Sequence, residues 1–520
     1  MSFSMDFLSK IYNNRNSYAE VFEEEDIKMI HVETAVEQVL REYIKMKKFI
    51  LLTGNPGDGK THLIRSLKEL LDEHNAFVEL DINEVEDYEE FLDNINQAIE
   101  NRRPCIIAVN EYPLISMLEQ FKERFPYYNE ILELKDSSII YNNDVNTNNG
   151  SSKVVILDLN NRNLLKKEVL TASLKKIIKI SNVCGGCEFN KKCDSQYNLN
   201  ALSNNTVQER LIKVVSMLGN TGTHVVMRDI LGFFSYIITA GLSCEKRQED
   251  EYKYYNLMFN GENELFESMR QFDPYHFSHP EIDEGLWNGT LKNDWIFNIP
   301  KINPIDVETE EEANEIFISI KRKFFFENER GNELLNLIPI EYNAFFDLLR
   351  QANDRELDMI KQIVLAINKF FNSDETEDEK LKVWITHKYE LRNHPNVAIS
   401  NKSFSLNDII LLVPGLPSHL KKVEYIPDHF LFRVFGPRGQ KESVDLKIDL
   451  KFYRMLFLIS EGYPPQIVPD NYKFKLYRFM NELASFQSRI RSNEFLIRDM
   501  GNNYSYKLSI RDNKYLPKRG

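Results

Sequence analysis

Residues 49–67 read FILLTGNPGDGKTHLIRSL. Apolar residues lead into a glycine-rich turn, and the turn into a lysine, a threonine and an amphipathic run bearing Leu63, Ile64, Leu67, Leu70 and Leu71. This order predicts strand, loop and helix. Gly54, Asn55, Pro56, Gly57, Asp58, Gly59, Lys60 and Thr61 fit G-x-x-x-x-G-K-[ST] throughout. The glycines let successive backbone N–H groups turn inward as an anion nest, and the following helix points its positive end the same way. At this spacing Lys60 reaches the β- and γ-phosphates of a nucleotide, and the Thr61 hydroxyl holds Mg²⁺. The expected ligand is a nucleotide with Mg²⁺, bound along residues 54–62, His62 included.

The surrounding pattern supports such a loop. Residues 76–82 (AFVELDI), 105–111 (CIIAVNE) and 154–163 (VVILDLNNRN) read as further strands, with helical stretches between them. Strands that are apolar on both faces and alternate with helices predict an α/β fold, a parallel sheet covered on both sides. Before the loop, Val32, Val36, Val39, Leu40 and Ile44 form one helical face. After residue 165 the chain turns mainly helical. An acidic stretch, NSDETEDEK at 372–380, then precedes short strands, a helix near 449–461 and a hairpin about Gly501, Asn502 and Asn503. The expected organisation is an N-terminal helical segment (1–46), an α/β core (47–175), a helical region (176–375) and a mixed α+β C-terminal domain (376–520).

Composition limits the function classes. At 520 residues the chain has room for several domains of about 100–200 residues. Its formal charge of −14 disfavours general nucleic-acid binding, which depends on Lys and Arg neutralising phosphates. The first twenty residues have no apolar core, and no apolar run nears the roughly 20 residues that span a bilayer. A cytoplasmic protein without a membrane segment is expected.

With the loop in place, the later motifs resemble those of the AAA+ ATPases over about residues 47–240. That family has Asp-Glu after its third strand, and this chain has Asn110-Glu111. The resemblance makes Glu111 the residue that polarises water, and puts a neutral amide at Asn110 where the family has the metal-side acid. A slow ATPase follows from this. Asp158 is the rival for the metal-side role. The fourth strand supplies a polar sensor at Asn160, beside Asn161, and THVVMRDILGFF places a second sensor at Arg228. Arg162 is either a finger reaching into a neighbouring subunit or a surface residue at a helix start.

Four of the five cysteines lie between 184 and 244. Cys184, Cys187 and Cys193 follow C-x₂-C-x₅-C, and Cys244 comes after the helical run 224–240. In a reducing compartment this suggests a closed four-thiolate Zn²⁺ site, with an iron–sulfur cluster as the less common alternative. Such a site would clip the helical lid and steady Arg228. Cys105, on an apolar strand, reads as core.

Motif order and overall length together resemble the ATPase component of bacterial DNA-phosphorothioation-dependent restriction systems. The resemblance implies an ATP-hydrolysing subunit of an anti-phage complex, whose partners are other defence-system proteins. It also implies homo-oligomeric or partner assembly, with DNA reached through those partners. A regulatory nucleotide switch with little hydrolysis is the alternative. A nuclease is disfavoured: Asp445 and Lys447 fit a half-buried strand, and His276, His279 and Asp283 lack a helical metal motif. The three arginines of 485–498 read as a solvated face.

Overall fold

The computed structural model describes residues 5–13, 22–55, 57–82, 85–139, 153–181, 193–244, 252–289, 309–335, 338–350, 356–387, 397–415, 424–436, 442–486, 494–499, 504–511 and 514–519. The chain divides into two compact units. The first comprises 1–219, 223–338 and 415–426, and the second 220–222, 339–414 and 427–520. The acidic stretch 372–380 therefore lies inside the second unit.

The first unit is built on a four-stranded, all-parallel sheet. Its strands are β1 (Phe49–Thr53), β2 (Phe77–Glu79), β3 (Cys105–Val109) and β4 (Val154–Asp158), in the order β2-β3-β1-β4. All five residues of β1, and all five of β3, are buried. Side chains alternate across a strand, so each face takes its own set. On one face Ile50, Leu52, Ile106 and Ala108 pack with Val36, Val39, Leu40 and Ile44 of α3 (Ala35–Lys45) and with Leu63, Ile64 and Leu71. The last three come from α4 (Lys60–Ser66) and α5 (Lys68–Glu73). On the other face Phe49, Leu51, Cys105, Ile107 and Val109 pack with Phe91, Leu92 and Ile95 of α6 (Tyr88–Glu100) and with Leu114, Met117 and Ile131. Leu114 and Met117 belong to α7 (Glu111–Gln120), and Ile131 to α8 (Tyr128–Ile139). This is the expected α/β sandwich, and Cys105 is core, 1% exposed. Truncating Leu52 to Ala at its centre would cost about 2–5 kcal/mol.

Three strand ends differ from expectation: the fourth strand stops at Asp158, and Leu159–Asn161 form a 3-10 turn. The second strand stops at Glu79, and the third stops at Val109. Asn110 is extended (φ −79°, ψ 158°) and acts as N-cap, so Glu111 opens α7 and does not end the strand.

The helical part of the first unit includes α9 (Lys167–Ser181), α10 (Asp194–Leu202), α11 (Asn205–Met217), α12 (Met227–Thr239), α13 (Tyr254–Asn260), α14 (Glu264–Met269), α15 (Pro280–Trp287), α16 (Glu310–Glu327) and α17 (Asn332–Leu335). α12 is its spine, with Ile230, Leu231, Phe233, Phe234, Ile237 and Ile238 buried. The N-terminal helices α1 (Met5–Asn13) and α2 (Glu24–Ile30) belong to the same unit. Ser9 Oγ donates to Leu242 O at 2.6 Å and Asn13 Nδ2 to Gly241 O at 2.8 Å, so α1 clasps the chain just past α12.

The second unit holds a five-stranded sheet, order β12-β11-β10-β6-β5, and a three-stranded one, order β7-β8-β9. The strands are β5 (Lys380–His387), β6 (Val397–Ser405), β7 (Ile409–Leu412), β8 (His429–Phe435), β9 (Ser443–Asp449), β10 (Glu494–Asp499), β11 (Tyr504–Arg511) and β12 (Lys514–Arg519). Helices α18 (Ile340–Leu349), α19 (Glu356–Phe371), α20 (Leu450–Ser460) and α21 (Asp470–Ser485) complete the unit. All pairing in both sheets is antiparallel. β10 and β11 pair as the hairpin expected from sequence; its turn at 501–503 lies outside the described residues. Asp445 lies on a strand of alternating burial and pairs with Arg433 at 2.7 Å, a cross-strand ion pair. Arg498, expected on a solvated face, is 3% exposed and donates to Asp374 at 2.9 Å.

Candidate functional site

Strand register sets the geometry. Thr53 pairs with Val109 on one side and Asp158 on the other, so β1, β3 and β4 end at one level. β2 pairs Glu79 with Ile107, so two more residues bring Asp81 to the same edge. The glycine-rich loop leaves from this carboxyl edge, where open α/β sheets bind ligands. Asp81, Asn110 and Asp158 leave from it too.

The loop is held by its own side chains. Asn55 N–H donates to Asp58 Oδ2 at 2.6 Å and to Asn160 Oδ1 at 3.2 Å. Gly59 has φ +86° and forms the N-cap of α4, a conformation suited to glycine. Lys60 Nζ donates to the carbonyls of Gly54 at 2.9 Å and Asn55 at 2.8 Å. Burial lowers the Lys60 pKa, while Asp58, Asp81 and Asp158 pull it upward. The charges of three carboxylates thus bear on one half-buried ammonium. Thr61 Oγ1 donates to Leu80 O at 3.4 Å, which puts the threonine beside the end of β2. Pro56 lies outside the described residues.

Asp81 is one residue that the sequence reading missed. The sheet order separates β2 from β1 by β3, yet the Thr61–Leu80 contact brings Asp81 to the loop. The available signal was an apolar run ending in Leu80-Asp81. Asp158, the rival acid, accepts from Asn160 N at 3.0 Å. Asn110 makes no side-chain capping bond, and the side chain of Glu111 lies outside the description.

Two residues from the helical part reach the loop. A Cβ added to Gly57 (φ +95°) would lie 2.8 Å from Arg228 Nη2, so the guanidinium packs on the loop backbone. His224 Nε2 lies 3.1 Å from Asp58 Oδ1. Hydrogen bonding to Asp58 raises the His224 pKa above its ordinary value, against the effect of burial. Sequence reading picked out Arg228 but not His224.

His62 turns away from the loop. Its Nε2 lies 3.1 Å from His31 Nδ1, and His31 Nε2 lies 3.2 Å from Glu37, whose side chain is 1% exposed. Arg162 is not the surface residue expected as one of its two readings, and in this chain its guanidinium is turned inward. It is 6% exposed and its Nε donates to Glu424 Oε2 at 3.0 Å. The other oxygen of Glu424 accepts from Ala35 N at 2.5 Å, at the start of α3. The arginine is thus spent on a buried ion pair.

Of the four expected thiolates, Cys184 and Cys187 lie outside the described residues. Cys193 is the N-cap of α10. Cys244 is exposed, and its N–H donates to Asp6 Oδ1 at 3.1 Å. Among the described residues no three His, Cys, Asp or Glu side chains are grouped to hold a metal. His279 caps α15 by accepting from Ile282 N, and Asp283 pairs with Lys321 at 2.8 Å. Among the described residues no helix is long and apolar enough to cross a membrane. No protein-family profile, curated protein or solved structure matches the chain.

Proposed function

We propose that the chain binds ATP at residues 54–61 and hydrolyses it slowly, as a P-loop nucleoside triphosphatase with an AAA+-like core. The observation that carries this reading is the company Lys60 keeps. It sits with Thr61 at the carboxyl edge of a parallel sheet, within the field of Asp81 and Asp158, on a loop packed by Arg228. The loop amides and Lys60 hold the phosphates; Thr61 and Asp81 hold Mg²⁺, with Asp158 or Asn110 as the alternative to Asp81. Bound Mg²⁺ offsets phosphate charge. Glu111 orients the attacking water, Asn160 steadies the loop through Asn55, and Arg228 adds positive charge. A Zn²⁺ ion on Cys184, Cys187, Cys193 and Cys244 braces the helical part.

The motif order resembles that of DptF, the ATPase component of DNA-phosphorothioation-dependent restriction. On that basis the chain is the ATP-driven subunit of a bacterial anti-phage complex in the cytoplasm. It works with other defence proteins, reaches DNA through them, and assembles with partners or with copies of itself. A second reading, a nucleotide switch with little turnover, draws on the uncharged Asn110 at the end of β3.

The test compares ATP binding and hydrolysis in wild type, Lys60→Ala and Glu111→Gln. Slow turnover lost in Glu111→Gln with binding kept supports the ATPase. Binding without turnover in the wild type supports the switch. Equal binding by wild type and Lys60→Ala rejects both.

A further inference from the structure

Asp58 is an acid inside a loop read as an anion site. Its side chain is 4% exposed, so its carboxylate has little water to screen it. It accepts from Asn55 N–H within the loop, and its other oxygen faces His224. His224 lies four residues before Arg228, so a single short segment leading into α12 supplies both contacts to the loop.

We propose that His224 is a positioning residue for the loop: it holds Asp58 from the helical part, and its charge makes nucleotide affinity depend on pH. This rests on the nucleotide reading above. An uncharged imidazole can donate one hydrogen bond to Asp58, but only the imidazolium cancels the carboxylate's charge. The groups facing His224 are Asp58 from the loop, Asp229 on α12 and Glu264 on α14; all are acids, and all favour the cation. The cation is present at low pH and is lost as pH rises through the raised pKa of the folded protein. Above that point the Asp58 charge has lost its cationic partner from the helical part, and affinity falls. By reciprocity, binding a polyanion raises the His224 pKa further.

The experiment uses the full chain with histidine-selective isotope labelling. A fluorescent ATP analogue with Mg²⁺ is titrated between about pH 5.5 and 8.5 on wild type, His224→Gln and Asp58→Asn. Glutamine keeps a donor but carries no charge. The affinity of the wild type should fall about five- to tenfold more than that of His224→Gln across this range, as expected for a charge-assisted bond. Asp58→Asn should lower the His224 titration midpoint seen by NMR and flatten the affinity profile. Identical pH profiles for wild type and His224→Gln overturn the proposal, as does a His224 midpoint unmoved by Asp58→Asn. If Asp58→Asn does not fold, His224→Gln carries the test alone. Failure of the wild type to bind the analogue at any pH overturns the nucleotide reading itself, and the proposal with it.

Discussion

Arg228, at the start of α12, lies against the backbone of Gly57, 171 positions away in sequence: a Cβ there would come within 2.8 Å of Nη2.

 

Gly57→Ala therefore meets two obstacles, a φ of +95° and the guanidinium. Gly59→Ala meets only the backbone one, since φ is +86° and nothing lies within 4 Å of its Cβ. Both variants should lose about 1–2 kcal/mol of stability from strain. Only Gly57→Ala should also displace Arg228, so its ATP affinity should match that of Arg228→Ala. Thermal melting and equilibrium binding on the three variants check this.

Glu424 joins Arg162 to the start of α3. Glu424→Ala leaves a buried guanidinium unpaired and removes the acceptor for Ala35 N–H. The expected loss is about 3–5 kcal/mol, and less for Glu424→Gln, which keeps an acceptor. Urea denaturation followed by hydrogen exchange in α3 reads both.

Asp81 and Asn110 compete for the metal-side role at the sheet edge. With Asp81 beside Thr61, Asp81→Asn should cut Mg²⁺-dependent ATP turnover about 100-fold or more, while Asn110→Ala should change it less than tenfold. The reverse order of effects would return the role to Asn110.

His62 titrates with the opposite sense to His224. Burial, then the neighbouring His31, holds its pKa below the ordinary value. Folded protein then binds fewer protons at this site than unfolded protein, so stability is lost as pH falls through about 6.5 and below. His62→Gln should melt with a flatter pH dependence between about pH 5 and 7 than the wild type. A parallel dependence would remove His62 from the account.

Metal analysis tests the cysteine assignment. The expected content is about one Zn²⁺ per chain for a four-thiolate site. Cys193→Ser should lose it and lower the melting temperature. A metal-free wild type, or iron with sulfide, would reject zinc.

The sheet strands were legible because β1, β3 and β4 are short apolar runs between turn signals, and burial on both faces leaves no polar alternation to confuse them. β2 was read too long because only Phe77–Glu79 pairs with β3. In the second unit β6 and β12 went unread: the polar VAISNKSFS and KYLPKR carry weak strand signals, and their pairing with β5 and β11 makes them strands. Arg162 read as either a finger or a surface residue because sequence shows a charge and not the Glu424 that meets it from 262 positions away.

By itself the sequence determined the loop, since G-x-x-x-x-G-K-T specifies backbone shape and chemistry within eight residues, and it determined the apolar strands that carry that loop. Tertiary structure alone decided which residues surround the loop. The Thr61–Leu80 contact brings Asp81 beside the loop, and the path of the helical part brings His224 to Asp58 and Arg228 to Gly57. The physical reason is range: turn geometry and periodicity act over a few neighbouring residues, whereas these contacts form only when the burial of apolar faces packs distant segments together.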